Sequence, residues 1–322
     1  MNDVPPRALK FRDPAITASG QPRAVVPLGR LDTLWFNTGT LCNIFCRHCY
    51  IESSPRNDRL AYLTRAEVTA FLDEIEASRL GTSLIGFTGG EPCMNPDLIG
   101  MLEEVLRRGF RALVLTNAMQ PMGHLRQPLA DLRVRYGRRL GIRVSLDHYT
   151  AAVHEAERGA GTFNRTLEGL AWLSSEGFNP DVAGRTFTHE PEAAVRVGYA
   201  RLFAAHGITT NADDPVRLML FPEMDPAREV PEITTACWGI LGKSPDDVMC
   251  ASSRMVVRRR GSDRPVVLAC TLLPYDERFE LGATLDAAAR PVALNHPHCS
   301  AFCVLGGGAC SREASGHDIS PE

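Results

Sequence analysis

The chain has no run of eighteen apolar residues, so no segment of it reads as a membrane-spanning helix. Its first ten residues, Met1 to Lys10, lack the basic, apolar and small-residue succession of a secretory signal. Proline, glycine and charge do not reach the excess that marks disorder. A formal net charge of -3 gives no general electrostatic attraction for nucleic acid, and the short basic run Val256–Arg260 reads as a solvated strand end. These absences predict a cytoplasmic protein that engages neither nucleic acid nor membrane. With 322 residues, 44% of them hydrophobic, the chain can hold one large core with a smaller appended module.

Cysteine, by contrast, is plentiful. Ten are present, and in a reducing compartment they read as ligands or buried thiols rather than as a disulfide framework. Three lie between positions 42 and 49, Cys93 stands alone, and six fall between Cys237 and Cys310.

Residues 1–30 read as a lead-in, with turn signals at Pro5-Pro6 and Gly20-Gln21-Pro22. From Leu34 onward, short apolar runs alternate with helical periodicity. Strands are predicted at Leu34–Asn37, Ser83–Phe87, Ala112–Leu115, Ile142–Leu146, Asp181–Thr186 and Val216–Phe221. Helices are predicted over Thr64–Ala77, 97–108, 123–137, 164–175 and Glu190–His206. Such repetition demands parallel strands with covered faces and right-handed crossovers. An open doubly wound sheet satisfies the same pattern. Polar residues, however, gather at the C-terminal ends of several strands: Thr88–Glu91, Thr116-Asn117, Ser145 and Asp147. That favours a barrel, whose chemistry sits at that end. The expected class is α/β: a partial (β/α)6 TIM barrel over 31–230 with a small cysteine-rich C-terminal extension over 235–315. In the extension, periodicity gives way to turns and one hairpin, Met255–Val257 with Val266–Leu268. A module that small needs a bound cluster or metal for stability.

The first cysteine group is Cys42-x3-Cys46-x2-Cys49, with His48 before the last cysteine and Tyr50 after it. An iron–sulfur cubane is soft, prefers thiolates, and offers one outer position on each of its four irons. These spacings let one loop wrap one face of a compact cluster, and three thiolates leave an iron open for chemistry. The alternatives are a structural zinc loop, with His48 or a remote residue as the fourth ligand, and buried inert thiols.

This segment resembles the radical S-adenosylmethionine (radical SAM) enzymes, and the resemblance extends over about residues 32–225. It rests on the three cysteines and on Gly89-Gly90-Glu91-Pro92, which is similar to the family's glycine–glycine–glutamate–proline element. His48 stands where the family usually has an aromatic residue. The resemblance implies a [4Fe-4S] cluster whose fourth iron is chelated by S-adenosylmethionine. On reduction the sulfonium is cleaved, and the resulting 5'-deoxyadenosyl radical removes hydrogen from substrate. It also implies cofactor-binding roles for Gly89, Gly90 and Glu91 toward the methionyl amine, and for Thr116, Asn117, Ser145, Asp147 and Arg158 toward ribose or carboxylate. A capping hydroxyl at Thr116 and a solvated charge at Arg158 are the plainer readings. No catalytic side chain is assigned beyond cluster and cofactor.

Of the later cysteines, Cys299-x3-Cys303-x6-Cys310 sits among Gly306-Gly307-Gly308, a backbone able to fold around a cluster. Cys250 and Cys270 flank the hairpin and meet if its open end closes. The region resembles the twitch and SPASM extensions of peptide-modifying radical SAM enzymes. Cys250-Ala251-Ser252-Ser253-Arg254-Met255 also resembles part of the molybdopterin-precursor cyclase, with Ser253 where the cyclase has a second cysteine. The resemblance implies one auxiliary [4Fe-4S] cluster drawn from Cys250, Cys270, Cys299, Cys303 and Cys310; zinc, or metal-free thiols, are the alternatives. His296 and His298 are candidates for metal or substrate, or simply a surface turn. Arg254, Arg258, Arg259 and Arg260 are candidates for an anionic group, although strand alternation sends only some of them inward. Together these features predict a net oxidative modification of a peptide or small molecule, driven by a flavodoxin- or ferredoxin-type reductant. The rival is a cluster-bearing electron-transfer or scaffold protein that does not cleave S-adenosylmethionine.

Overall fold

The computed structural model describes residues 10–78, 80–186, 188–223 and 229–308. A two-residue strand, β1 (Val25–Val26), precedes β2 (Thr33–Asn37), after which strands and helices alternate. The order is α1 (Arg65–Ser78), β3 (Leu84–Thr88), α2 (Leu98–Arg107), β4 (Arg111–Thr116), α3 (Gln120–Gly123), α4 (Arg126–Tyr136) and β5 (Leu140–Ser145). It continues with α5 (Ala151–Arg158), α6 (Thr162–Ser175), β6 (Asp181–Thr186), α7 (Glu192–Ala205) and β7 (Leu218–Pro222). Beyond lie α8 (Cys237–Leu241), β8 (Ser253–Val257), β9 (Val266–Leu268), β10 (Glu280–Gly282) and β11 (Val292–Ala293).

β2 through β7 run parallel in chain order, each linked to the next by at least one helix. This is the partial (β/α)6 barrel. Every residue of β2 and β3 is buried, as expected of parallel strands covered on both faces, by helices outside and by the barrel interior within. Trp35 lies across β3 at Gly86, where a Cβ would come within 2.2 Å of the indole ring, so only glycine fits opposite it. β7 begins at Leu218 rather than Val216 because Asp214 accepts a 2.8 Å hydrogen bond from the Val216 amide and holds that stretch in a turn.

Helix α5 has no counterpart in the sequence-based prediction. Its buried residues are His154 and Glu157, so it carries no apolar stripe for periodicity to detect. The predicted hairpin is present as β8 and β9, with Met255 opposite Leu268 and Val257 opposite Val266. It continues the barrel sheet: β8 pairs parallel with β2, Thr33 opposite Ser253 and Trp35 opposite Met255. The nine-stranded order is β10-β9-β8-β2-β3-β4-β5-β6-β7. The lead-in is tied down by an Arg23–Glu232 ion pair at 2.6 Å and by β1 pairing antiparallel with β11. Among the described residues, no helix is long and apolar enough to cross a membrane.

Candidate functional site

The cysteine loop leaves the C-terminal end of β2 and is pinned from several sides. The Cys42 amide donates to Ser54 O at 3.0 Å, and the Arg47 amide donates to Glu157 O at 2.7 Å. Nδ1 of His48 sits 2.7 Å from the Glu157 carboxylate, so this histidine is already engaged with α5. Cys42 is buried, while Cys46 and Cys49 are half-buried, and all three face one cavity at the C-terminal ends of the parallel strands. Burial pushes the Cys42 thiol up to about 12, with nearby Glu91 and the other two thiols adding to the effect. Burial likewise raises Cys46 to about 11, against the pull of Arg158. With such values, Cys42 and Cys46 ionise only against a metal or cluster. The all-sulfur donor set fits an iron–sulfur group.

Gly89 and Gly90 are required by the chain itself. A Cβ on Gly90 would lie 2.2 Å from Leu41 O, and one on Gly89, whose φ is +136°, would lie 2.5 Å from Gly39 O. Through this gap the Gly90 amide donates to Gly39 O and the Glu91 amide to Leu41 O, at 2.9 and 3.1 Å. The glycine pair therefore clamps the entrance of the cysteine loop. Glu91 is 2% exposed and stands behind the cavity wall. Its carboxylate accepts from the Cys93 amide (3.0 Å), the Thr116 hydroxyl (2.8 Å) and the Asn117 amide (2.9 Å). Burial raises its pKa, and these donors oppose the rise. In this arrangement Glu91 ties the end of β4 to the loop before α2.

Thr116, Asn117, Ser145, Asp147 and Arg158 all line the cavity with the three thiols, as do Gly89 and Gly90. Asn117 Nδ2 donates to Asn43 Oδ1 at 2.8 Å and so joins the strand end to the cysteine loop. Asp147 receives two bonds from Arg158, from Nε and Nη2, both 2.9 Å. Burial works against the Asp147 charge, but Arg158, with Arg185 beyond it, keeps its pKa below the usual carboxylate range. His154 is fully buried and accepts the Asp147 amide at 3.2 Å on Nδ1. Burial, aided by Arg158, lowers it to about 4. The sequence reading passed over Arg143 and Arg185, which also face the cavity. A signal for Arg143 was available: it lies two residues before Ser145 on β5, hence on the same face.

A second, smaller and apolar cavity lies in the C-terminal region. Cys250, Cys270, Cys299 and Cys303 face it together with His298. Cys250 ends the turn before β8, Cys270 follows β9, and Cys299 and Cys303 lie four apart in a π-helix, Cys299–Leu305. Burial raises Cys250 to about 11 and Cys299 well above the ordinary thiol value. Cys237 is elsewhere, accepting from the Thr234 amide at 3.3 Å, and Cys310 falls outside the described residues. His296 is driven down to about 4 by burial and by His298. Leu272 lines both cavities. Among the described residues, no three His, Cys, Asp or Glu side chains converge closely enough to share one metal ion; the thiols ring cavities instead.

A parallel α/β barrel with thiols and polar strand ends around one cavity defines a barrel protein with a thiol-lined cavity at its C-terminal face. More specifically, residues 36–192 match the Radical SAM superfamily, and the chain carries a radical SAM domain. It is 30% identical over 173 residues to the antilisterial bacteriocin subtilosin biosynthesis protein AlbA of Bacillus subtilis, covering 53% of this chain and 36% of AlbA. It is 29% identical over 150 residues to the GTP 3',8-cyclase of Pseudomonas fluorescens, covering 46% of this chain and 43% of the cyclase. The chain thus spans less than half the length of these curated relatives. In fold it is similar to Streptococcus suis SuiB bound to S-adenosylmethionine, with a TM-score of 0.56 at 13% identity, covering 79% of this chain and 64% of SuiB.

Proposed function

We propose that this chain is a radical SAM enzyme that holds one [4Fe-4S] cluster on Cys42, Cys46 and Cys49 and an auxiliary one on Cys250, Cys270, Cys299 and Cys303. The auxiliary site makes up a twitch-like module over 235–315, joined to the barrel over 31–230. The carrying observation is the common cavity. Three thiols and the polar ends of β3, β4 and β5 face it, and a second group of four thiols lies just beyond Leu272.

When bound, the first cluster and S-adenosylmethionine supply reductive sulfonium cleavage and a 5'-deoxyadenosyl radical that takes hydrogen from substrate. The chain's own residues bind, orient and shield. Asn117 and Ser145 offer polar atoms to the cofactor, Arg158 offers positive charge with Asp147 holding it in place, and Glu91 keeps the end of β4 against the cysteine loop. Leu115, Phe221 and Phe302 line the same cavity and limit water around a reactive intermediate. An auxiliary cluster held by Cys250, Cys270, Cys299 and Cys303 would supply an acceptor for the electron that a substrate radical must lose, which would make the net reaction an oxidation. The names of the two curated relatives point to different substrates, a bacteriocin and GTP. The substrate is accordingly a peptide or a small molecule. A cytoplasmic flavodoxin- or ferredoxin-type donor supplies electrons, and Phe45, 68% exposed within the loop, leaves the loop's outer side approachable.

The test is iron and sulfide content, with Mössbauer spectra, of anaerobically purified protein and of the Cys42→Ala/Cys46→Ala/Cys49→Ala variant. Two cubanes predict about eight irons per chain falling to about four. The reduced wild type is expected to release 5'-deoxyadenosine from S-adenosylmethionine, and the variant none. A wild type that holds its clusters yet cleaves no cofactor would instead be an electron-transfer or scaffold protein.

A further inference from the structure

Arg254 is 1% exposed, one of the largest fully buried side chains in the molecule. Its Nε donates to Ala288 O at 2.9 Å, Nη1 to Cys250 O and Ser253 O at 2.6 and 2.8 Å, and Nη2 to Arg290 O at 3.1 Å. Every acceptor is a neutral carbonyl. The other interior and nearby arginines are treated differently. Arg23 meets Glu232 at 2.6 Å and Arg143 meets Asp181 at 3.2 Å. Arg258, Arg259 and Arg260, on the same segment as Arg254, meet Glu67, Glu280 and Asp58. Among the described residues, Arg254 has no carboxylate partner.

A guanidinium stays protonated in proteins, and leaving one buried without a counter-charge is strongly unfavourable. The four carbonyls explain its orientation; they do not supply a negative charge. The 2.6 Å bond from Nη1 to Cys250 O sets the guanidinium beside a residue that lines the second cavity, and the ionisable groups near enough to act on it are Cys250 and Cys270, two of the four thiols there. As neutral thiols they give it nothing, whereas as ligands they are thiolates. A cubane held by four thiolates carries net negative charge and gains one more on reduction.

We propose that Arg254 is the fixed counter-charge of an anionic iron–sulfur centre on Cys250, Cys270, Cys299 and Cys303, and that it raises that centre's reduction potential. This rests on the auxiliary-cluster reading above. Arg254 touches no reacting atom; it is a positioning residue whose effect is electrostatic. A positive charge close to the cluster in a low-dielectric interior favours the added electron.

The experiment uses the full-length Cys42→Ala/Cys46→Ala/Cys49→Ala protein, so that only the second centre titrates. Arg254, Arg254→Lys and Arg254→Met forms are compared by EPR-monitored redox titration, with iron and sulfide counted for each. Arg254→Met is expected to disfavour the reduced cluster at least tenfold, a shift of about 59 mV to more negative potential for one electron. Arg254→Lys, which keeps the charge but loses most of the carbonyl contacts, is expected to stay near the parent potential. Unchanged potential in a cluster-loaded Arg254→Met protein overturns the inference alone. If both substitutions lose the cluster equally, Arg254 is a structural brace and the inference again fails. If the parent itself holds no iron, the auxiliary-cluster reading fails, and the inference falls with it.

Discussion

In the barrel loop, three cysteines follow one another between positions 42 and 49 and face a broad cavity walled by polar and charged strand ends. In the C-terminal region, four cysteines arrive from three separate segments and face a smaller, apolar cavity lined otherwise by residues such as Val248, Leu273 and Phe279. Each site has an arginine, but half-buried Arg158 is neutralised by Asp147 whereas buried Arg254 meets only carbonyls. A site that must admit a cofactor and a substrate keeps an open, polar mouth and balances its own charges. A site that only holds a cluster can be dry and sealed, with its countercharge left for the cluster itself to answer. The difference teaches that the number of thiols says less about a site's role than what else reaches the cavity.

This contrast implies that the two sites can be disturbed separately. The largest effect is expected from Gly90→Ala, whose new Cβ would lie 2.2 Å from Leu41 O and must displace the cysteine loop. Iron at the first site should fall several-fold while the second site keeps its share, read by iron analysis beside Mössbauer spectra. Equal loss from both sites would mean that they assemble as one unit. Next comes Asp147→Asn, which removes the buried carboxylate that pairs bidentately with half-buried Arg158. Destabilisation of about 3 kcal/mol is expected in denaturant unfolding, and a change below 0.5 kcal/mol, on the order expected of surface sites, would show that the pair is not the barrel's balancing charge.

The smallest effect concerns pH. His154 is held neutral, its pKa lowered to about 4 by burial and then by Arg158. The unfolded chain takes up the proton first, at its ordinary value near 6.5. Stability is therefore complete above pH 6.5 and declines as pH falls from there toward 4, by roughly 1.4 kcal/mol per unit. Melting measured between pH 6.5 and 5, above the range where carboxylates protonate, should show this slope in the wild type and a shallower one in His154→Phe. His296 contributes a slope of the same sign from the other region, so the variant should lose only part of it. An unchanged slope would assign the acid sensitivity to the C-terminal region.

Much of the barrel was legible in the chain because its signals are local. Apolar runs and helical stripes marked the six strands and the five helices that bury an apolar face, since each element's burial is written in its own periodicity. Helix α5 escaped because what it buries is His154 and Glu157. With it went the contact from His48 to Glu157 that fastens the cysteine loop to the barrel rim. Gly89 and Gly90 line the site cavity, and they also make room for the chain itself at Gly39 to Leu41, a contact that no local pattern announces.

By itself the sequence determined the parallel α/β order, the three-cysteine loop after the first long strand, and the gathering of polar residues at one end of the sheet. These depend on spacing within a few residues, and covalent geometry carries them unchanged into three dimensions. Tertiary structure alone decided that the hairpin lies along β2, that Cys250, Cys270, Cys299 and Cys303 share a cavity apart from Cys237, and that Arg254 is sealed inside. Alternation assigns a side chain to one face of a strand, but not whether that face meets water. β8 is buried along its whole length between β2 and β9 and under neighbouring segments, so a cation that the pattern left open to solvent became interior. Pairing between distant segments follows from which buried surfaces fit together, and no local window of the chain contains that information.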